Sequence, residues 1–250
     1  MKALRFLRRG FEHGVHPAHH KEQTENLPIQ RVPFGQHYVM PLGQHIGVPS
    51  KPVVEEGQEV RRGQLIAEPG GFVSTALHSP VTGRISKIGD FRGVDGRFAP
   101  AIGIEADPFA TQEIEAGAAI DWESLSLDEF IRAVQMAGIV GMGGAAFPAH
   151  VKLSVPEGTH IRHLLVNGAE CEPFLTNDHR LMLEQPDALL EGCEIMRRKL
   201  GAEETVIGIE KNKPDAIEII SQRIPEGHPT RVVPLKVKYP QGAEKMMIRS

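Results

Sequence analysis

The sequence predicts a small all-β domain followed by an α/β domain with a mostly parallel sheet. Between about residues 36 and 106, short β-like segments alternate with Gly and Pro turn signals, as in a small barrel or sandwich. From residue 126 onward, helical and strand-like segments alternate, and the strands and helices follow the order βαβαβα. That order favours parallel strands with helices on the faces of the sheet.

The composition is that of an ordinary globular chain of one or two domains. Its 250 residues are 40% hydrophobic and 24% charged. The net charge of −4 argues against a surface built for polyanions, so we expect no nucleic-acid partner. No apolar run approaches the ~20 residues that cross a bilayer, and the start of the chain lacks the apolar core of a secretory signal. We therefore expect no direct membrane span.

Residues 1–35 are predicted to form an irregular arm, because Pro17 and Gly14 disfavour a regular helix. The arm contains four of the twelve histidines, but no carboxylate or cysteine lies at convincing ligand spacing. We expect a solvated or packed arm and no metal site.

The β region contains five predicted strands: His37–Leu42, Lys51–Glu55, Gln64–Glu68, Gly83–Ile88 and Ala101–Glu105. The segments VVEEGQEVRRGQLIAE and HSPVTGRISKIG resemble the two half-motifs of biotinyl/lipoyl-type domains. Such domains have a modifiable lysine at the hairpin between the halves. Here the hairpin, residues 69–73, is Pro-Gly-Gly-Phe-Val, so we expect the fold without the carrier function.

The second half begins with a capping box, Ser126-x-x-Glu129, that predicts the start of a helix ending near Gly138. The other predicted elements, in order, are a strand over Ile161–Val166, helical Asp178–Lys199 with a break at Pro186, a strand over Thr205–Ile209, a helix after residues 212–214, a strand over Arg231–Lys238 and a helix over Ala243–Arg249. Cys193 lies on an apolar helical stripe and is predicted to be a core residue.

The first functional signal is the glycine-rich segment 141–148, GMGGAAFP. Positions 143–146 lack bulk, so backbone N–H groups can approach an anion closely. The pattern G-x-G-x-x-A is close to a dinucleotide fingerprint, but the segment follows a predicted helix rather than a strand. A glycine-rich turn between helices explains the spacing equally well.

Two further loops follow predicted strands of the α/β region. Residues 167–174 follow Val166, and residues 239–245 follow the third strand, so both are expected at the carboxyl edge of the sheet. Ligands of open α/β sheets bind outside that edge. An Asn and two carboxylates in the first of these loops could bond ribityl, ribose or ring N–H groups. An Asx-type turn with solvated acids is the structural alternative.

Several segments resemble the C subunit of the Rnf electron-transport complex: HPAHHKE, MPLGQHIGVPSKPVVEEGQEVRRGQLIAE, GMGGAAFPAHVKL, LLVNGAECEPFLTNDHRLM, VIGIEKNKPDAI and KYPQGAEKMMI. The resemblance implies a barrel-sandwich domain and a Rossmann-like flavin domain similar to the NADH-oxidising subunit of respiratory complex I. The implied domains are 1–110, a linker 111–125, and 126–250.

The resemblance also implies FMN as cofactor and NADH as substrate. Carried over by motif, the cofactor and nucleotide residues are Gly141, Gly143, Gly144, Ala145, Phe147, Lys152, Asn167, Glu170, Glu172 and Glu244. No side chain is assigned as a catalytic acid or base. Ala146 departs from the glycine usual at its position, which would strain the loop if that position needs a positive φ.

The implied function is NADH oxidation by an FMN-binding subunit of a membrane-associated, ion-translocating electron-transport complex. The subunit would lie peripherally on the cytoplasmic side of the inner membrane, bind other subunits, and pass electrons toward iron–sulfur centres and ferredoxin. Two cysteines cannot supply the four thiolates of a typical cluster, so we expect clusters only in the family's C-terminal region beyond residue 250. The alternative is a flavin-free docking subunit similar to the A subunit of the Na⁺-translocating NADH:quinone reductase.

Overall fold

The computed structural model describes residues 11–114, 120–142, 144–156 and 158–250. Contacts divide the chain into two units. The barrel unit comprises Val32–Gly158, and the sheet unit comprises Met1–Arg31 together with Thr159–Ser250.

The barrel unit contains two antiparallel sheets. One has the strand order β1-β7-β6-β3 and the other has the order β2-β4-β5. The strands are β1 His37–Pro41, β2 Lys51–Pro52, β3 Glu59–Val60, β4 Leu65–Glu68, β5 Leu77–His78, β6 Gly83–Arg92 and β7 Phe98–Ala106. Strands β6 and β7 pair from Gly83 opposite Ala106 to Arg92 opposite Phe98, with a bulge between Ile85 and Lys87.

Alternation of apolar side chains along these short strands builds the core of the barrel unit. Ile66, Ile85 and Ile102 are fully buried, and Val60, Val81 and Ile104 pack in the same cluster. The predicted all-β region is confirmed, because each predicted strand is present in whole or in part.

Two helices complete the barrel unit. α1 spans Leu127–Met136 and α2 spans Ala149–Leu153. The predicted capping box is confirmed: the Ser126 side chain accepts from Glu129 N–H, and the Glu129 carboxylate accepts from Ser126 N–H. α1 buries Phe130 and Val134. The five-residue α2 has no periodic pattern long enough to predict it.

The sheet unit contains a three-stranded parallel sheet in the order β10-β9-β8. The elements in chain order are β8 His163–Gly168, α3 Asn177–Glu184, α4 Pro186–Leu200, β9 Glu204–Glu210, α5 Pro214–Arg223, β10 Thr230–Leu235 and α6 Glu244–Ile248. β9 is central and buried from Thr205 to Glu210. Cys193, Met182 and Ile207 belong to its apolar core, which confirms the prediction for Cys193.

The predicted alternation of strands and helices is confirmed, including the helix break at Pro186 and the left-handed Gly201 that ends α4. The third strand is shorter than predicted, since it ends at Leu235. The predicted domain limits stay a prediction, because the two units are defined by contacts between residues and not by domain boundaries in the sequence. Residues 115–119 of the predicted linker lie outside the described residues. A Rossmann-like arrangement also stays a prediction.

Candidate functional site

The glycine loop, residues 141–148, joins α1 to α2 in the barrel unit. Its ends are held together by a β-bridge between Val140 and Pro148. Gly141 N–H donates to Phe147 O at 2.8 Å, and Ala149 N–H donates to Ile139 O at 3.0 Å. These bonds close the loop at its base and leave its apex to solvent.

The described residues at the apex of the glycine loop leave backbone N–H groups without an acceptor. Gly144 has φ +93°, and no protein atom lies within 4 Å of the position that a Cβ would take there. Within the described residues, the N–H groups of Gly144, Ala145 and Ala146 have no hydrogen-bond acceptor. Unpaired N–H groups on an open, left-handed turn are what a phosphate requires. The predicted Gly143 lies outside the described residues.

Ala146 has φ +45°, so the condition that makes alanine costly at this position is met. An L-residue in the left-handed region is strained by about 1–2 kcal/mol relative to glycine.

Lys152 lies near two predicted site residues of the glycine loop, Phe147 and Gly141. Lys152 is exposed on α2, and its Nζ lies 5.9 Å from the centroid of the Phe147 ring. A Cβ on Gly141 would lie 4.0 Å from the same Nζ. The exposed ammonium group of Lys152 therefore lies near the closed base of the glycine loop.

The tip loop, residues 69–74, holds the helices that flank the glycine loop. Gln135 of α1 donates through Nε2 to the carbonyls of Gly71, Phe72 and Ser74 at 3.2, 3.4 and 2.9 Å. His150 of α2 contacts Phe72 O through Nε2 at 2.7 Å, so that nitrogen carries the hydrogen. The tip loop thus occupies the place of a carrier hairpin but is bonded to two helices.

His150 is buried, at 1% exposure, although it lies just after the glycine loop. Tertiary contact with the tip loop, which local sequence does not show, is the reason.

The two loops of the sheet unit meet at the carboxyl edge of the sheet, as predicted. The Asn167 loop comprises residues 167–176, and the Gly242 loop comprises residues 236–243. Asn167 Nδ2 donates to Gly242 O at 2.9 Å, and Asn167 Oδ1 accepts from Ala169 N–H at 3.1 Å. A Cβ on Gly242 would lie 2.8 Å from Ala169 O, so only glycine permits this approach. The Asx-type turn is present, and it joins the two loops.

The predicted acids take different environments. Glu170 is 2% exposed, and its Oε1 accepts from Asp178 N–H at 2.8 Å. Glu172 is half-buried and has no hydrogen bond or ion pair within the described part of the chain. Glu244 is exposed at the start of α6. Of the three, Glu172 offers a free carboxylate close to the carboxyl edge of the sheet.

Beneath the Asn167 loop lies a buried ionic cluster that the sequence did not reveal. It consists of Lys21, Glu170, Glu210 and Lys213, each at most 5% exposed. Lys213 Nζ lies 3.1 Å from Glu210 Oε2, and Lys21 Nζ lies 3.6 Å from Glu170 Oε2. Lys21 comes from the arm, where no periodicity or spacing distinguished it.

The cysteines are not nucleophiles. Burial raises the pKa of the Cys171 thiol, and the charges of Glu172 and Glu210 add to that rise. Burial alone raises the pKa of Cys193 to about 11. Both thiols therefore stay protonated at neutral pH.

Two other kinds of site are absent from the part of the chain that the structure describes. No group of three or more His, Cys, Asp or Glu side chains there is arranged to hold a metal ion. No helix in the same residues is long and apolar enough to cross a membrane.

Family models match two segments of the chain, with limits that differ from those of the two contact units. Residues 9–108 match the model of the RnfC barrel sandwich hybrid domain, and residues 134–250 match the Nuo51 FMN-binding domain. The chain is thus similar to RnfC in its first segment and to a Nuo51 FMN-binding domain in its second. The barrel-sandwich domain predicted from the two half-motifs is thereby confirmed, and the glycine loop falls inside the segment that matches an FMN-binding domain.

Curated relatives in the RnfC family are similar over nearly the whole chain. The C subunit of the proton-translocating ferredoxin:NAD(+) oxidoreductase complex of Clostridium ljungdahlii is 43% identical over 96% of this chain and 52% of the relative. The C subunit of the Na(+)-translocating complex of Acetobacterium woodii is 37% identical, with 95% and 54% covered. The C subunit of the ion-translocating oxidoreductase complex of Pseudomonas aeruginosa is 42% identical, with 92% and 30% covered. The chain spans about half the length of the first two relatives.

A solved NAD⁺-reducing [NiFe]-hydrogenase is similar at 26% identity over 49% of this chain and 23% of that chain, with a TM-score of 0.40. A similarity at that TM-score adds nothing to the sequence matches.

Proposed function

We propose that this chain binds FMN and oxidises NADH as part of an ion-translocating electron-transport complex. The observation that carries the proposal is the open apex of the glycine loop, with unpaired N–H groups at residues 144–146, inside a segment that matches an FMN-binding domain. Two relatives are C subunits of ferredoxin:NAD(+) oxidoreductase complexes, which supports NADH as the electron donor.

The residues present fit the cofactor. The N–H groups of Gly144, Ala145 and Ala146 would bind the phosphate, and Lys152 would add positive charge beside it. Glu172 would accept hydrogen bonds from hydroxyl groups of the flavin or the nucleotide, because its carboxylate is not used within the described residues. Gly141, Phe147 and Glu244 remain in the proposed set.

Asn167 and Glu170 support the proposed site mainly by shaping it. Both polar atoms of the Asn167 amide bond the main chain, and one Glu170 oxygen holds the start of α3. These contacts would fix the Asn167 loop, which carries Glu172.

Bound FMN would supply hydride acceptance and single-electron release. The chain supplies binding, orientation and electrostatics, and no described side chain is required to move a proton. Electrons would continue to iron–sulfur centres in the C-terminal region of family members and then toward ferredoxin. The chain would lie peripherally on the cytoplasmic side of the inner membrane, bound to other subunits.

A flavin-free docking subunit, like the A subunit of the Na⁺-translocating NADH:quinone reductase, is the second candidate. One observation favours it: Asn167 and Glu170, both predicted to bind the cofactor, use their polar atoms on the chain itself. The N–H groups of Gly144, Ala145 and Ala146, which have no acceptor within the described residues, favour the flavin-binding function.

Titration of the purified chain with FMN and with FAD, followed by flavin fluorescence, tests the proposal. We expect FMN to bind in preference to FAD and NADH to bleach the bound flavin under anaerobic conditions. A chain that takes up neither flavin, or that prefers FAD, contradicts the proposal. A chain that binds the other subunits without flavin supports the docking function instead.

A further inference from the structure

Residues 11–31 of the N-terminal arm lie against both loops at the carboxyl edge of the sheet. Phe174 N–H donates to His19 O at 2.8 Å, and the Phe174 ring stacks on the His20 ring with centroids 5.0 Å apart. Val15 and Tyr239 exchange two main-chain hydrogen bonds of 2.9 and 2.8 Å. A segment that the sequence left without a function therefore contacts the Asn167 loop and the Gly242 loop.

Lys21 is the buried centre of these contacts. Its Nζ donates to Glu170 O at 2.7 Å and to Leu175 O at 2.6 Å. The same Nζ lies 3.6 Å from Glu170 Oε2. One ammonium group therefore bridges two carbonyls on either side of Glu172 and fixes the span of the loop between them.

The charge of Lys21 is balanced within the cluster. Two lysines, Lys21 and Lys213, face two glutamates, Glu170 and Glu210, so the cluster is formally neutral. Burial, followed by repulsion from Lys213, lowers the pKa of Lys21. Burial, followed by repulsion from Glu170 and Glu172, raises the pKa of the neighbouring Asp178. Loss of Lys21 would leave a buried excess of negative charge beneath the loop.

Apolar burial does not explain why the arm is held here. Val15, Leu27 and Ile29 of the arm are 60%, 54% and 47% exposed, whereas Lys21 is 5% exposed. A buried, hydrogen-bonded charge costs desolvation and defines one geometry, whereas apolar contacts allow several. The arm is thus held to the loop by polar contacts, and Lys21 is the most buried of the arm residues that make them.

We propose that Lys21 is a positioning residue, through which the arm holds the Asn167 loop so that Glu172 is presented in a fixed place. The arm then supports the nucleotide site and is not only the segment that precedes the barrel unit in sequence. This inference rests on the proposed function, because it assigns the loop to FMN and NADH.

The test compares Lys21→Met with Lys21→Gln, Lys21→Arg and a control, Arg231→Met. Arg231 forms an exposed ion pair with Glu204 in the same unit, at the amino edge of the sheet. Amide hydrogen exchange is measured in the chain without flavin. We expect Lys21→Met to speed exchange of the Phe174 and Asp178 amides about tenfold or more, as for the loss of a buried charge-assisted bond.

The other variants sharpen the comparison. Lys21→Gln keeps two hydrogen-bond donors without the charge, so it should accelerate exchange less at the same amides. It replaces Lys21→Met as the test variant if the Met variant does not fold. Lys21→Arg should restore most of the protection, and Arg231→Met should leave these amides unchanged. In the FMN-loaded chain with an artificial electron acceptor, Lys21→Met should raise the KM for NADH about tenfold and change kcat by less than about twofold.

Unchanged exchange at Phe174 and Asp178 in a folded Lys21 variant would overturn the inference. A uniform acceleration across all amides of the sheet unit would also overturn it, since that is the sign of a general loss of stability. Because exchange needs neither FMN nor NADH, a chain that fails to bind flavin refutes the proposed function while the exchange data still decide the role of Lys21 in the loop.

Discussion

The two units bury different kinds of polar side chain. The buried polar residues of the barrel unit, within the described part of the chain, are Ser, Thr, Gln and His, as Gln135 and Ser74 illustrate. In the described part of the chain, every buried Lys and Glu belongs to the sheet unit, with Lys213 at 2% and Glu210 at 1% exposure. The barrel unit thus holds the helices beside its glycine loop with amide and imidazole bonds to carbonyls, and the sheet unit holds its loops with buried charges.

This difference has an energetic meaning. A neutral hydrogen bond contributes about 0.5–1.5 kcal/mol, and its loss costs little more than the desolvation of one group. Removal of one partner from a buried ion pair costs about 3–5 kcal/mol, because the remaining charge is uncompensated. Removal of a buried charge from the sheet unit should therefore lower the free energy of unfolding more than removal of a buried amide from the barrel unit.

The largest effect is expected for Lys213→Met. Glu210 would lose its partner at 3.1 Å and stay buried, so unfolding free energy should fall by about 3–5 kcal/mol in urea titrations. The double variant with Glu210→Leu should recover more than half of that loss. A decrease below about 1 kcal/mol would show that the buried charges are not what distinguishes the sheet unit.

Ile85→Ala should destabilise the barrel unit by about 3 kcal/mol, because a fully buried side chain would leave a cavity. Thermal unfolding measures the effect. Val39→Ala is the matched control in the same sheet, with Val39 47% exposed, and should change stability by less than about 0.5 kcal/mol. Equal effects at both positions would contradict an apolar core as the basis of this unit.

Gln135→Leu should cost about 1–3 kcal/mol, because the Gly71 and Ser74 carbonyls of the tip loop lose this donor and the Phe72 carbonyl keeps only His150. It should also speed hydrogen exchange at Ala149 N–H, which closes the glycine loop. Gln222→Leu, which removes an exposed bond to Glu218, is the control and should leave both quantities unchanged. A loss as large as that of Lys213→Met would remove the distinction between neutral and charged contacts.

The smallest stability effect is expected for Gly144→Val, at about 1–2 kcal/mol from its positive φ. Gly57→Val is matched, since Gly57 has φ +84° and equally open surroundings in the same unit. Both variants should lose similar stability, but only Gly144→Val should lose FMN binding in fluorescence titrations. FMN binding that survives in Gly144→Val would show that the glycine loop is only a turn.

Local patterns sufficed wherever a short segment determines its own structure. The capping box at Ser126, the helix break at Pro186 and the Asx-type turn at Asn167 all require only neighbours in sequence, and all are present. The short strands β3 and β5 were missed, because two residues each are too few for a period. The roles of Gln135, His150 and Lys21 were missed for a different reason: their partners lie more than 60 positions away in the chain.

The sequence by itself determined the two kinds of fold, the glycine loop, and the placement of Asn167 and Glu172 at the end of a strand. It could do so because periodicity, capping and glycine conformations depend on local sterics and hydrogen bonding. Only the tertiary structure decided that Lys21 and Glu170 lie buried together and that the tip loop is held by two helices. Burial of a charge becomes favourable only when groups from distant segments meet and pair, and no local pattern encodes that meeting.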